Sequence, residues 1–219
     1  MPIVYALANQ KGGVGKTTTA VNLGAYLVEH GQRVLLVDID PQANATSSLG
    51  FNKLRASPST YDVLVNETPL SDTVRSVDQT GLELAPASPN LAGATVELVG
   101  LPRREHRLYL AIEQLDDAYD YVLIDCPPSL GVLTVSGLTA AQAVIIPVQC
   151  EYLALEGLSQ LTRTIKLVRR ALNPTLTLRG LLMTMYDART NLSQQVVEEV
   201  RQHFRHRVFD AIIPRTARL

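Results

Sequence analysis

Two cysteines in 219 residues are too few for a disulfide framework, and Cys126 and Cys150 form no C-x-x-C pair, so neither a stapled scaffold nor a zinc site is expected. Both end apolar strand-like runs and read as small buried residues. No apolar run reaches the roughly 18 residues that a membrane span needs, and no basic segment precedes the apolar N-terminus. These absences favour a cytosolic protein with no membrane partner. Internal repeats, heptad arrays and low-complexity tracts are also missing. His203 and His206 are three apart on an expected surface helix with no acidic or cysteine partner nearby, which argues against a shared metal. Neither sign of charge is in excess, the net being −1. The sum hides an asymmetry: residues 160–219 carry 11 Lys and Arg against 4 Asp and Glu, and residues 1–159 carry 9 against 17. That distribution fits either a basic face or solvated helix faces with arginines lying over apolar surface.

What is present is a chain with 46% hydrophobic residues, enough for one domain with a sizeable core. Near-continuous branched runs at Ile3 to Ala8, Val34 to Asp38, Tyr121 to Asp125, Ala143 to Pro147 and Leu178 to Met185 read as buried parallel strands, and Val208 to Ile213 as a last one. Helical patterns lie between them, at 16–30, 103–118, 131–142, 155–172 and 193–206. Alternation of this kind predicts an α/β fold, a mostly parallel twisted sheet flanked by helices on both faces. Residues 50–100 are less regular, with short helices and a strand near Leu82 to Ala85 expected there. Asp116 and Asp117 read as a solvated helix end.

Residues 9–18, Asn-Gln-Lys-Gly-Gly-Val-Gly-Lys-Thr-Thr, join the first strand to the first helix. Gly12, Gly13 and Gly15 let the backbone turn tightly and aim N–H groups at phosphate oxygens, with Val14 and Thr18 inside the same wrap. Lys16 supplies a point charge for the β- and γ-phosphates, Thr17 a hydroxyl for Mg²⁺, and the helix N-terminus its positive dipole end. The pattern predicts ATP and Mg²⁺ as ligands. Lys11 is a second lysine that an ordinary phosphate loop lacks. From spacing alone it is a solvated lysine that adds positive potential.

In open α/β sheets ligands lie beyond the carboxyl ends of the strands, so acids there are candidates for the metal and the water. Asp125, followed by Cys126-Pro127-Pro128, fits a Walker B carboxylate, with a turn or helix cap as the alternative. Asp38 and Asp40 end the second strand two residues apart. If extended backbone persisted they would share a face. Asp40 before Pro41 could also serve only to cap a turn.

The two-lysine loop resembles that of the ParA/MinD group of ATPases. The segments Asp38-Ile-Asp-Pro-Gln-Ala-Asn-Ala-Thr, Ile124-Asp-Cys-Pro-Pro-Ser-Leu, Pro147-Val-Gln-Cys-Glu-Tyr-Leu and Met185-Tyr-Asp-Ala-Arg-Thr-Asn-Leu are similar to chromosomal ParA proteins of the Soj type nearly end to end. The resemblance implies that Lys11 reaches across a homodimer to the partner's nucleotide, that Asp40 positions the attacking water, and that Asp38 supports the metal side. It implies ATP hydrolysis that is slow and stimulated by a ParB-type partner, nonspecific double-stranded DNA binding through Arg189 and Arg218, and a nucleoid-associated location. It also places Pro214 and Thr216 against the adenine, although the family tends to have Asn at the latter position. The family continues past the point equivalent to Leu219, so a single ATPase domain over 1–219 lacking a C-terminal segment is expected. The same residues also admit a positioning ATPase that binds protein cargo and not DNA, or an ATP-dependent small-molecule ligase.

Overall fold

A computed structural model describes residues 1–78, 80–115, 117–151 and 154–216. Among them, one sheet of eight strands is built from β1 (Ile3–Leu7), β2 (Val34–Asp38), β3 (Arg75–Val77), β4 (Leu82–Ala85), β5 (Tyr121–Asp125), β6 (Ala143–Gln149), β7 (Thr177–Tyr186) and β8 (Val208–Pro214). Their order is β3-β4-β2-β5-β1-β6-β7-β8, and only the short edge strand β3 runs antiparallel, to β4. The helices are α1 (Lys16–Glu29), α2 (Asn44–Ser48), α3 (Thr60–Asn66), α4 (Leu70–Thr73), α5 (Leu91–Glu97), α6 (Arg107–Glu113), α7 (Val132–Ala140), α8 (Ala154–Ala171) and α9 (Asn191–Phe204).

Successive strand side chains alternate between two cores, as a pleat requires. Leu7, Leu36, Leu84 and Leu123 face α1 through Ala20, Val21, Leu23 and Leu27. Ala6, Leu35, Val37, Val122 and Ile124 face the other way, onto Leu108 and Ile112 of α6, Leu133 and Leu138 of α7, and Leu158, Leu161, Ile165 and Val168 of α8. The expected two-faced α/β layering is therefore present. α1 lies so close to the sheet that a Cβ on Gly24 would stand 3.0 Å from Leu82 Cδ1.

The helix expected over 103–118 is shorter. Arg103 has a left-handed backbone (φ 49°), a 3-10 turn covers Arg104–His106, and α6 proper runs only from Arg107 to Glu113. Asp117 pairs with the N-terminal ammonium at 2.6 Å instead of ending a helix, while Asp116 lies outside the described residues. Both cysteines are buried, Cys126 fully.

The helices flanking β6 are joined through Asn173. Its buried Nδ2 donates to the carbonyls of Leu138, Thr139 and Ala141 at 3.1, 3.0 and 2.7 Å, closing the C-terminus of α7 where no helical N–H is available. Removing that donor strands buried carbonyls, so Asn173→Ala is expected to lower stability by about 1–3 kcal/mol, read as a drop in the urea midpoint with an unchanged slope.

Candidate phosphate and nucleotide site

The sheet register sets the site. Asp125 is directly opposite Leu7 on one neighbour and Asp38 on the other, so the last residue of β1 and two carboxylates share one strand edge. The loop leaves β1 there and enters α1 at Gly15, whose φ of 90°, like the φ of 70° at Gly13, lies where a Cβ is strained. No side chain caps the N-terminus of α1, so its first N–H groups remain open to an anion, as expected for the cradle. Val14 is buried and its carbonyl accepts from Thr184 Oγ1 at 2.8 Å. The loop's start is tied to β6 by Asn9 Nδ2, which donates to the Pro147 carbonyl at 2.7 Å, while Asn9 Oδ1 accepts the Lys11 N–H at 3.0 Å.

The two lysines point to different places. Lys16 is buried and its Nζ donates to the Lys11 carbonyl at 3.2 Å, folded onto its own loop. Burial lowers its pKa from the usual lysine value, and the nearby Asp125, Cys126 and Asp40 oppose that fall. Lys11 Nζ instead meets Glu151 Oε2 at 2.6 Å beyond the end of β6. Glu151 was not singled out in the sequence, where it is one acid in a run of mixed residues.

Thr17 Oγ1 donates to Asp125 Oδ2 at 2.6 Å, and Asp125 Oδ1 is buried without a hydrogen-bond partner among the described residues. A hydroxyl next to an orphaned carboxylate oxygen at the mouth of a phosphate loop fits a hard cation such as Mg²⁺. Burial first, then the neighbouring Asp38 carboxylate, push the Asp125 carboxyl up to about 8 against the pull of the Thr17 hydroxyl and Lys16.

Asp38 and Asp40 do not share an extended face. β2 ends at Asp38, and the chain turns back so that Asp38 Oδ1 accepts the Asp40 N–H at 3.1 Å. Asp38 Oδ2 accepts from Thr46 N and Oγ1 at 2.9 and 2.8 Å, so Asp38, expected on the metal side, braces the 38–46 turn with both oxygens. Burial pushes it up to about 6, although those three hydrogen bonds favour its charged form. Asp40 is buried, and its Oδ1 accepts the Gln42 N–H at 2.9 Å. The turn cap allowed by the sequence is real, and Oδ2 has no hydrogen-bond partner among the described residues.

A cavity of about 260 Å³ opens beside the loop, lined by Gly15, Thr18, Thr184, Met185, Pro214 and Thr216 among others. The expected pair Pro214 and Thr216 is brought to it. Thr184 and Met185, the latter with a left-handed φ of 53°, were missed as site residues because nothing local marks the end of β7 as a pocket wall. Arg189 is 87% exposed and clamped by Asp187, with Nε donating to Oδ1 at 2.9 Å and Nη2 to Oδ2 at 2.7 Å. That clamp holds the Asp187 carboxyl well below the usual range. Arg218 lies outside the described residues. Among the described residues, His203 and His206 belong to no cluster suited to a metal.

The family described as an AAA domain matches residues 3–178. The sporulation initiation inhibitor protein Soj of Bacillus subtilis is 55% identical over 216 residues, covering 99% of this chain and 85% of its own length. The chromosome-partitioning ATPase Soj of Thermus thermophilus is 55% identical over 214 residues, covering 98% and 82%. The chain belongs to the ParA/Soj family of chromosome-partitioning ATPases. A solved Mycobacterium smegmatis structure described as cobyrinic acid a,c-diamide synthase, with ADP and magnesium bound, superposes with a TM-score of 0.94 at 48% identity over 99% of this chain and 88% of that one. The ParA/Soj fold thus accompanies a bound nucleotide and magnesium in a close structural neighbour.

The raised carboxyls make nucleotide-free, metal-free stability depend on pH. A folded-state pKa near 8 for Asp125 and near 6 for Asp38, against ordinary unfolded values, means that the folded chain binds more protons between those limits. Their contribution is full below the ordinary carboxylate range and is lost as pH rises through those values. In calorimetry with chelator, the melting temperature of wild type is expected to fall between about pH 4 and pH 8, and Asp125→Asn to flatten the upper part of that fall.

Proposed function

We propose that this ParA/Soj-family chain is an ATP-dependent dimeric switch for chromosome segregation, whose ATP-bound dimer binds DNA without sequence preference. The observation that carries it is the division of labour between the lysines: Lys16 is turned into the loop, and Lys11 is held at the rim by Glu151. A lysine facing out of its own cradle suits a second subunit's nucleotide.

In this reading the open N–H groups at Gly13 to Thr18 bind the triphosphate, and the cavity bordered by Pro214 and Thr216 takes the base. Thr17 and Asp125 hold Mg²⁺, which when bound neutralises charge on the phosphates. Lys16, already stripped of much of its water, adds a charge that acts more strongly than it would in bulk solvent. Asp40 uses one oxygen to fix its own turn and directs the other at the attacking water, so its role is positioning, which is most of what phosphoryl transfer demands. Lys11 of each protomer neutralises the other's phosphates. Hydrolysis is slow, and a ParB-type partner stimulates it and releases the dimer from the nucleoid.

The DNA surface extends beyond Arg189, whose charge is largely answered by Asp187. Residues 157–186 contain no Asp or Glu, and exposed Arg163, Lys166 and Arg170 follow one stripe of α8. Among the described residues none of the three is in an ion pair, which leaves their donors available for phosphate. The amide-synthase description of the Mycobacterium neighbour favours a second reading, ATP-coupled ligation, in which turnover would need a small carboxylate substrate.

Duplex DNA binding with ATP, ADP or no nucleotide separates these readings. Binding is expected only with ATP, and turnover is expected to need no carboxylate substrate; DNA binding equal in all three states would remove the gate. Asp40→Ala is expected to lower ATP turnover by about 100-fold or more while keeping the DNA complex. Replacing Arg163, Lys166 and Arg170 together by Ala is expected to weaken binding and flatten the logarithmic salt dependence by about 0.9 per lost phosphate contact. An unchanged salt slope would exclude α8 from the interface.

A further inference from the structure

Lys11 and Glu151 are 140 residues apart in the chain, and the pair exists because the phosphate loop is fastened to the end of β6. Asn9 bonds the Pro147 carbonyl, and two residues past Gln149 the chain doubles back, with the Glu151 N–H donating to the Gln149 carbonyl at 2.8 Å. The Glu151 carboxylate then has both oxygens engaged, Oε2 by Lys11 Nζ at 2.6 Å and Oε1 by Gln149 Nε2. The side chains of Lys11 and Glu151 remain 39% and 46% exposed, so the pair is an open rim contact that can exchange partners.

The Lys11 backbone belongs to the cradle itself, since its carbonyl accepts Lys16 Nζ at 3.2 Å. An ammonium on a flexible four-carbon stem attached there can fold onto the phosphates of its own loop, beside Lys16. A lysine used that way is unavailable to a second protomer. We propose that Glu151 is a positioning residue: it holds Lys11 out of its own phosphate site and presents it at the rim, where the triphosphate of a second copy of the chain displaces the carboxylate. Either triphosphate carries more negative charge than one carboxylate, so the carboxylate's role is positional: it starts Lys11 at the rim, where a second copy's triphosphate meets it first, and takes it back when ATP is absent. Gln149 supports the arrangement by fixing the second carboxylate oxygen. The proposal rests on the reading that Lys11 acts in trans.

The test compares wild type, Glu151→Gln, Lys11→Ala and the double variant with Mg²⁺ and a fluorescent non-hydrolysable ATP analogue. Nucleotide affinity is measured at protein concentrations below dimerisation, and the monomer–dimer constant by sedimentation equilibrium. Freed from its carboxylate, Lys11 is expected to strengthen nucleotide binding by the Glu151→Gln monomer about two- to fivefold and to weaken dimerisation by a similar factor, the scale of a partly exposed ion pair. Both changes are expected to vanish in the Lys11→Ala background, and Glu151→Asp to fall between wild type and Glu151→Gln. A fold defect would instead move the melting temperature and persist without Lys11, which would overturn the proposal. So would a Glu151→Gln protein that matches wild type or dimerises more tightly. A wild-type chain that stays monomeric with the analogue defeats the trans reading and the positioning role together, whereas a dimerising wild type with an unaltered variant defeats the positioning role alone.

Discussion

Asp125 ends a central strand with Asp38 directly across from it and Lys16 close by, all three buried beneath a loop of glycines. Two carboxylates and one ammonium in so little solvent are expensive to keep charged. The surrounding structure answers each of them differently. Thr46 and the Asp40 amide satisfy Asp38, the Thr17 hydroxyl satisfies one oxygen of Asp125, and the Lys11 carbonyl takes up Lys16. One oxygen of Asp125 is left over. A site with an unsatisfied buried carboxylate oxygen on Asp125, beside open helix N–H groups, suits a cation and an anion that enter together. Magnesium bound to a polyphosphate brings both charges at once.

Around this centre the chain couples its early and late halves. The phosphate loop is stitched to β6 through Asn9, to β7 through Thr184, and to the segment after β6 through Lys11. The turn after β2 is likewise connected outward: Thr60 Oγ1 donates to the Asp38 carbonyl at 2.7 Å, and the Ala87 N–H donates to Thr46 Oγ1 at 2.9 Å. Short hydrogen bonds therefore tie the turn after β2 to α3 and to the segment that follows β4.

Much of this was legible in the residues. The strands were readable because buried parallel strands are continuous apolar runs, and their acid-terminated ends pointed to the ligand edge. The loop was readable because glycine, lysine and threonine at those spacings serve few other purposes. Within residues 50–100 the expected short helices and the strand at Leu82–Ala85 are present, but individual bounds were not legible because α3 to α5 are each seven residues or shorter, too brief for a helical period to emerge, and β3 has only three residues. The helix expected from 103 broke at Arg103, whose left-handed backbone no periodicity could announce.

By itself the sequence determined the layered α/β fold, the anion cradle and the strand-end acids, since these follow from local pattern and from residue chemistry at fixed spacing. Only the tertiary structure decided how each acid is held. Asp38 and Asp40 look equivalent along the chain, yet a reversal after β2 commits one to bracing a turn and leaves the other an oxygen to spare. Arg189 is clamped by Asp187, two residues away, whereas Arg163, Lys166 and Arg170 on α8 are in no ion pair among the described residues. Glu151 became the partner of Lys11 through the register of β6 beside β1, a long-range pairing that no local window contains.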